Sequence, residues 1–276
     1  EHPEIVVHRW HPYELRTARY WWHMLKTLSE PRDPHHSGQA DRFQTNKLFV
    51  GYNPFYPEPI GVTPGLVEWM GKDYVEDLAR FCQRNAEEAY KRIAAGQGQT
   101  NVKYMAEKHR ADNLPWLVWE LYPKAKEIFL VRDFRDVFSS MLAYNKKFGR
   151  RAFGPEHLKS DEEFAHFLRS STIKNLSRSW PKRQDRAHLI RYEDLIAQPQ
   201  QVLQGVFEYL ELDASDPTIA GILERASADN PETRQHITSS NVSNSLGRWR
   251  SSLSPEMQEV ATREFGDVLE QFGYEV

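Results

Sequence analysis

A short apolar run, Ile128-Phe129-Leu130-Val131, stops at Arg132-Asp133, and a helical pattern starts at once in Phe134-Arg135-Asp136-Val137-Phe138-Ser139-Ser140. So short a run, followed directly by a capping residue, predicts strand, sharp turn and helix. Asp133 suits the N-cap, and Asp136 stands three residues on, near the spacing of a capping box. In α/β folds such a unit presents polar groups at the carboxyl edge of a parallel sheet, where ligands bind. An arginine at the strand end and a serine on the following helix can grip one phosphate from two sides. The same residues also fit a plain surface ion pair, which contributes little.

The remaining pattern alternates strands and helices. Ile5-Val6-Val7 reads as a buried strand, and residues 12–28 as a helix with Leu15, Ala18, Trp22 and Leu25 on one stripe. Residues 29–65 are polar and then proline-rich, with Pro54, Pro57, Pro59 and Pro64, which predicts an irregular lid or substrate loop. A helix is expected over 66–95, ended by Gly96 and Gly98, and a strand over 101–105. Asn113 suits the cap of a helix to Leu121, with Pro115 in its first turn. Strand 127–131 and helix 134–146 lead into a basic irregular segment, 147–160. A helix over 161–180, a strand over 188–191, a helix over 200–210 and an irregular polar stretch over 230–248 follow. Ser254-Pro255-Glu256 combines cap, first-turn proline and early acid, and starts a helix reaching about residue 272. This alternation predicts an α/β fold with a parallel sheet covered on both faces.

With 276 residues the chain can bury a substantial core, as one large α/β domain or two small ones. A net charge of −3 gives no global basic surface, so nucleic acid is not expected as a partner. Cys82 is the only cysteine, which excludes an internal disulfide and a cysteine-rich zinc site and suits a reducing cytoplasm. His8-Arg9-Trp10-His11 and His35-His36 read as solvated loops rather than metal ligands. No apolar run approaches the length of a membrane span. The chain opens on Glu1-His2-Pro3 without an initiator Met, so it is expected to be part of something longer.

Three segments act together: Arg132 with Ser140; Leu189-Ile190-Arg191-Tyr192-Glu193-Asp194-Leu195 with Pro199; and Leu246-Gly247-Arg248-Trp249-Arg250 before the last helix. Their order, and the ending Phe272-Gly273-Tyr274, resemble the sulfotransferases that use 3′-phosphoadenosine-5′-phosphosulfate (PAPS), in particular bacterial-type members. The resemblance covers roughly residues 100–276 and implies a single sulfotransferase-like domain over 1–276. It implies a P-loop-like three-layer α/β fold, a central parallel sheet flanked by helices. The implied reaction moves a sulfonate from PAPS to a hydroxyl (or amine) of an acceptor such as a carbohydrate or small metabolite, and releases PAP. It also implies that Arg132 and Ser140 hold the 3′-phosphate and that Tyr192 lies near the adenine, although Tyr192 equally fits a core tyrosine. Where the best-known eukaryotic pattern has Arg-Lys-Gly, this chain has Val242-Ser243-Asn244. The second grip on that phosphate then falls to Arg248, Arg250, Ser243 or Ser245, with Arg248 preferred. Glu193 and Asp194 read as helix-cap and ion-pair residues rather than catalysts.

The family's "P-x-S-G-T-T" loop, which cradles the 5′-phosphosulfate, does not occur in the sequence. His2-Pro3-Glu4-Ile5 resembles the "H-P-D" that follows that loop's helix, so the expectation is a chain that starts just after it, with half of the donor site. Sulfuryl transfer needs an in-line hydroxyl, stabilised charge and a general base, and no metal. The base should project from the end of strand 5–7, where Glu14, His11 and His8 are candidates in falling order; Glu14 also fits a first-turn acid. After strand 101–105, Lys108 could neutralise charge on the sulfonate, and His109 is a rival base or a plain exposed turn. Trp21, Trp22, Phe55, Tyr56 and Trp69 could wall an acceptor cleft or simply fill a core. Two rivals stand beside the enzyme. One is a catalytically inactive nucleotide- or partner-binding module; the other is an ATP-using P-loop kinase, which the 132–140 and 189–195 patterns fit poorly.

Overall fold

The structure is a computed structural model, and it describes residues 2–8, 17–29, 74–109, 115–149, 153–227 and 243–276. Glu14, His11, the Asn113 cap and nearly all of the 29–65 loop lie outside the described residues. The chain divides into two compact units: residues 3–108 with 116–123, and residues 124–276 with 1–2 and 109–115.

In the first unit, β1 (Ile5–Val6) pairs in parallel with β2 (Tyr104–Met105), Ile5 opposite Tyr104. Its helices among the described residues are α1 (Thr17–Ser29), α2 (Tyr74–Gly96) and α3 (Trp116–Leu121). The stripe read from sequence on α1 is the buried one: Ala18, Trp22 and Leu25 are all inside. Ala18 and Trp22 pack with Ala86 of α2, against Tyr90, Val118 and Tyr122. Gln83 on α2 donates to the Leu121 carbonyl at 2.6 Å, satisfying one of the orphan acceptors that end α3.

In the second unit, β3 (Glu127–Val131) and β4 (Ala187–Arg191) run parallel with Glu127 opposite Ala187 and Val131 opposite Arg191. The apolar run of β3 predicted burial on both faces. Instead the strand alternates: Phe129 and Val131 are buried, whereas Ile128 and Leu130 are 42% and 51% exposed. Only the Phe129 face meets the unit's core, against Trp180 and Phe272. Around it pack α4 (Phe134–Phe148), α5 (Asp161–Leu168) and α11 (Pro255–Gln271), with Phe138, Phe164 and Phe265 at the centre. The single helix expected over 161–180 is interrupted. After α5 comes a π turn at Arg169–Ile173, then α6 (Lys174–Ser179) and a 3₁₀ turn at Trp180–Lys182. The hydroxyls of Ser170 and Ser171 both donate to the Phe167 carbonyl, a back-bonding that competes with the regular ladder. Beyond β4 lie α7 (Tyr192–Ala197), α8 (Pro199–Tyr209), α9 (Asp216–Ser227) and α10 (Trp249–Ser252). The sequence reading had missed α9. The cap expected at Ser254 is present, its side chain accepting from the Met257 amide at 3.3 Å.

The described fold is therefore mixed α/β and mostly helical, with two two-stranded parallel sheets. The parallel direction agrees with the sequence reading; one central sheet in three layers stays an expectation. Among the described residues no helix is long and apolar enough to cross a membrane, and no cluster of three or more metal-ligating side chains forms.

Candidate functional site

The in-register exit of β3 and β4 sets Arg132-Asp133 beside Tyr192-Glu193. Asp133 is the N-cap of α4, as the sequence suggested: its Oδ1 accepts from the Arg135 amide at 2.9 Å. The Arg135 guanidinium returns to the same carboxylate through Nε at 3.0 Å and Nη2 at 2.8 Å, a fork geometry in a buried pair. Asp136 does not complete a capping box. Its Oδ2 accepts from the Gly247 amide at 2.7 Å and its Oδ1 from the Trp249 amide at 2.9 Å. Gly247 takes the left-handed region, φ 61°, which glycine adopts at little cost and which lets both amides meet one carboxylate. Burial raises the Asp136 pKa, and the two amides and Arg132 pull it back only in part.

The segment before Trp249 is tied to the same turn. Arg132 Nη2 donates to the Ser245 carbonyl at 2.6 Å, and its guanidinium lies 4.7 Å above the Tyr192 ring. The Tyr192 hydroxyl is 3.3 Å from Ser245 Oγ. Among the described residues no acceptor meets the buried Nε of Arg132. Ser140 is half-buried on α4. Its neighbour Ser139 shares a 2.6 Å hydrogen bond with Ser252 of α10. Arg248 is half-buried, and its carbonyl accepts from the amides of Ser251 and Ser252, each at 3.0 Å. It lines a cleft of about 570 Å³ with Ser139, Lys146, Asp161 and Met257. Glu193 acts as a bridge: Oε1 accepts from the Asp133 amide at 3.0 Å and Oε2 from the Tyr274 hydroxyl at 2.6 Å. Asp194 pairs loosely with Arg191, at 3.6 Å.

Of the residues singled out in the sequence, Arg132 and Tyr192 are thus brought into contact. Ser140 and Arg248 sit on the two segments that Asp136 and Ser139 join. His8, half-buried just past β1, and Lys108, exposed just past β2, belong to the other unit. Glu14 and His11 lie outside the described residues. Sequence reasoning missed the reach of Asp136 and the role of Tyr274. Ser245 was on its shortlist but ranked below Arg248. A local capping rule could not have found Asp136, since its partners are 111 and 113 residues away.

At the strand-turn-helix, half-buried Arg132 thus sits between an aromatic ring and a backbone carbonyl. The chain matches the sulfotransferase family over residues 11–216, more than half of its length, and it belongs to that family. No curated relative matches it by sequence. Among solved structures, mouse sulfotransferase SULT7A1 complexed with PAP is similar at 20% identity and a TM-score of 0.41, over 61% of this chain and 70% of that one. The sulfotransferase domain from the curacin biosynthetic pathway is similar at 18% identity and a TM-score of 0.37, over 73% and 75%. Both are too distant to carry a structural argument.

Proposed function

We propose that the chain is a PAPS-dependent sulfotransferase domain, spanning 1–276 in a P-loop-like three-layer arrangement. It moves a sulfonate to a hydroxyl or amine of an acceptor such as a carbohydrate or small metabolite, and releases PAP. The observation that carries this reading is Arg132. Its Nη2 is committed to Ser245, its face to Tyr192, and its buried Nε has no acceptor among the described residues. A buried donor left without an acceptor costs free energy, and an anionic oxygen would relieve it. A 3′-phosphate suits that donor, and the sulfotransferase family match favours this phosphate over a general anion.

In this reading Arg132 and Ser140 hold the 3′-phosphate, Tyr192 flanks the adenine, and Arg248 supplies the second positive charge. Bound PAPS supplies the activated sulfuryl group. Glu14, His11 or His8 takes the proton from the acceptor hydroxyl, and Lys108 offsets negative charge on the sulfonate. The 29–65 and 147–160 segments shape the acceptor side, and the protein works in the cytoplasm.

The test is a calorimetric titration of adenosine 3′,5′-bisphosphate into the full chain and into Arg132→Ala. The expected loss in the variant is about 2 kcal/mol, roughly thirtyfold, as for a charge-assisted contact. Equal affinity in both proteins removes Arg132 from the site. Binding without turnover of PAPS against any acceptor assigns a nucleotide-holding module instead.

A further inference from the structure

The short segment after α11 is bound, at three consecutive residues, by the side chains that flank Arg132 and Tyr192. Gly273 takes φ 74°, so the chain reverses direction as α11 ends. Its carbonyl accepts from Arg191 Nη1 at 2.9 Å. The Tyr274 hydroxyl donates to Glu193 Oε2 at 2.6 Å, and the Arg191 guanidinium lies 4.4 Å from the Tyr274 ring. The Glu275 carbonyl accepts from Arg135 Nη2 at 2.7 Å. Arg191, Glu193 and Arg135 thus hold the three residues of the segment between them.

Glu193 carries the consequence to the site. The Asp133 amide lies just past the last paired residue of β3, and Glu193 Oε1 accepts from it. That bond fixes the peptide plane between Arg132 and Asp133, and with it the direction in which Arg132 leaves the strand. Burial, then the Glu193 carboxylate, hold the Tyr274 hydroxyl far above the usual phenol range, so it stays a donor at neutral pH.

We propose that Glu193 and Tyr274 are positioning residues that hold the Arg132-Asp133 turn ready for the 3′-phosphate, so that selectivity for a 3′-phosphorylated nucleotide depends on the 273–275 segment. This rests on the reading of Arg132 given above, and the experiment separates the two. Adenosine 3′,5′-bisphosphate and adenosine 5′-monophosphate are each titrated into the full chain, Tyr274→Phe, Glu193→Ala, Arg132→Ala and the Arg132→Ala/Tyr274→Phe double variant. Tyr274→Phe is expected to weaken the bisphosphate about tenfold and the monophosphate less than about twofold, the loss of one hydrogen bond to a charged group. Glu193→Ala shifts the ratio in the same direction and carries the test if Tyr274→Phe does not fold. On the Arg132→Ala background the tyrosine change adds less than about twofold, because both act through one contact. If Arg132→Ala is selective but the other two variants lose both nucleotides equally, or neither, the positioning role is overturned alone. If Arg132→Ala shows no selective loss, the nucleotide reading falls, and the positioning role with it.

Discussion

In residues 124–276 several of the groups taken out of water are charged and matched. Asp133 meets Arg135, Asp136 meets two amides, and Arg183 meets Glu127 at 3.1 Å. In residues 3–108 with 116–123 two phenols lie around one carboxylate. Burial, then Glu107, hold the Tyr90 hydroxyl well above the usual phenol range, and Glu107 Oε1 accepts from the Ala18 amide in the first turn of α1. Tyr122 lies nearby, its hydroxyl buried without a partner among the described residues. Each buried charge of the first kind requires a particular partner, and several of those partners are far away in sequence. Such groups fix how 132–136, 191–193, 245–249 and 273–275 meet. A buried phenol demands far less, since it stays neutral and mostly apolar.

The sharpest way to break this contrast is Asp136→Ala. The carboxylate is only 1% exposed, and removing it strands the Gly247 and Trp249 amides. A loss of about 3 kcal/mol in urea unfolding is expected from two buried donors left unpaired. A loss under about 1 kcal/mol would mean that the 245–249 segment re-pairs easily, and the contrast would fail. Asp136→Asn keeps one acceptor and loses less. Because burial raises the folded pKa, Asp136 favours the folded state most at or below its ordinary value of 3.8. That contribution fades as pH climbs through the raised folded value, so the stability of the wild type relative to Asp136→Asn falls over that window.

Next in size is Arg183→Met, which keeps an apolar side chain at the site and removes the guanidinium that lies over Phe129. Arg183 is 2% exposed, and its loss leaves Glu127 with only the weaker pull of Arg186. About 2 kcal/mol should disappear at neutral pH, since breaking one side of a buried pair strands the other. Burial already raises the Glu127 pKa, and Arg183 opposes that rise. The variant's Glu127 should therefore protonate at still higher pH, and the deficit should shrink on acidification. A deficit that does not change with pH would place the cost in packing.

How far these groups were legible in the sequence follows from the range of the signals. Strand 127–131 and the helix start at Phe134 were readable because the apolar run, the cap and the first turn are contiguous. The Ser254 cap was readable for the same reason. Helix α9 was missed although Asp216-Pro217 is a helix start of the same kind. The π turn was not legible, since it depends on hydroxyls choosing a carbonyl rather than on periodicity. In the site, Arg132 and Tyr192 could be picked out by motif order. Asp136 could not be given its role, because the local rule offered a nearer and wrong partner. Among the candidate bases, Glu14 and His11 lie outside the described residues, so their order rests on the sequence alone.

A smaller effect, about 1 kcal/mol, is expected for Ser160→Ala, the cap of α5. Its hydroxyl accepts from the Glu163 amide at 3.1 Å in an exposed turn, where water can partly replace it. Thermal unfolding is enough to read the difference. A loss as large as that of Asp136→Ala would show that exposure does not soften a lost partner in this unit.

Tyr122→Phe should have the smallest effect. Its hydroxyl has no partner among the described residues, so the variant loses no hydrogen bond and should stay within about 0.5 kcal/mol of the wild type at neutral pH. The difference emerges in alkali. Burial first, then the Glu87 and Glu107 carboxylates, push the Tyr122 pKa up from 10.0 to about 12. The folded state therefore holds this proton more tightly than the unfolded chain does. That contribution is complete below pH 10 and is lost as the pH rises through 12. Relative to Tyr122→Phe, the wild type should show an extra fall in stability across that window, and its phenolate absorbance should show one more tyrosine ionising near pH 12, since Tyr90 and Tyr274 are held higher still in both. If the variant unfolds with the same alkaline slope as the wild type, Tyr122 is not the group in question. The first unit would then hold its phenols as firmly as the second holds its charges.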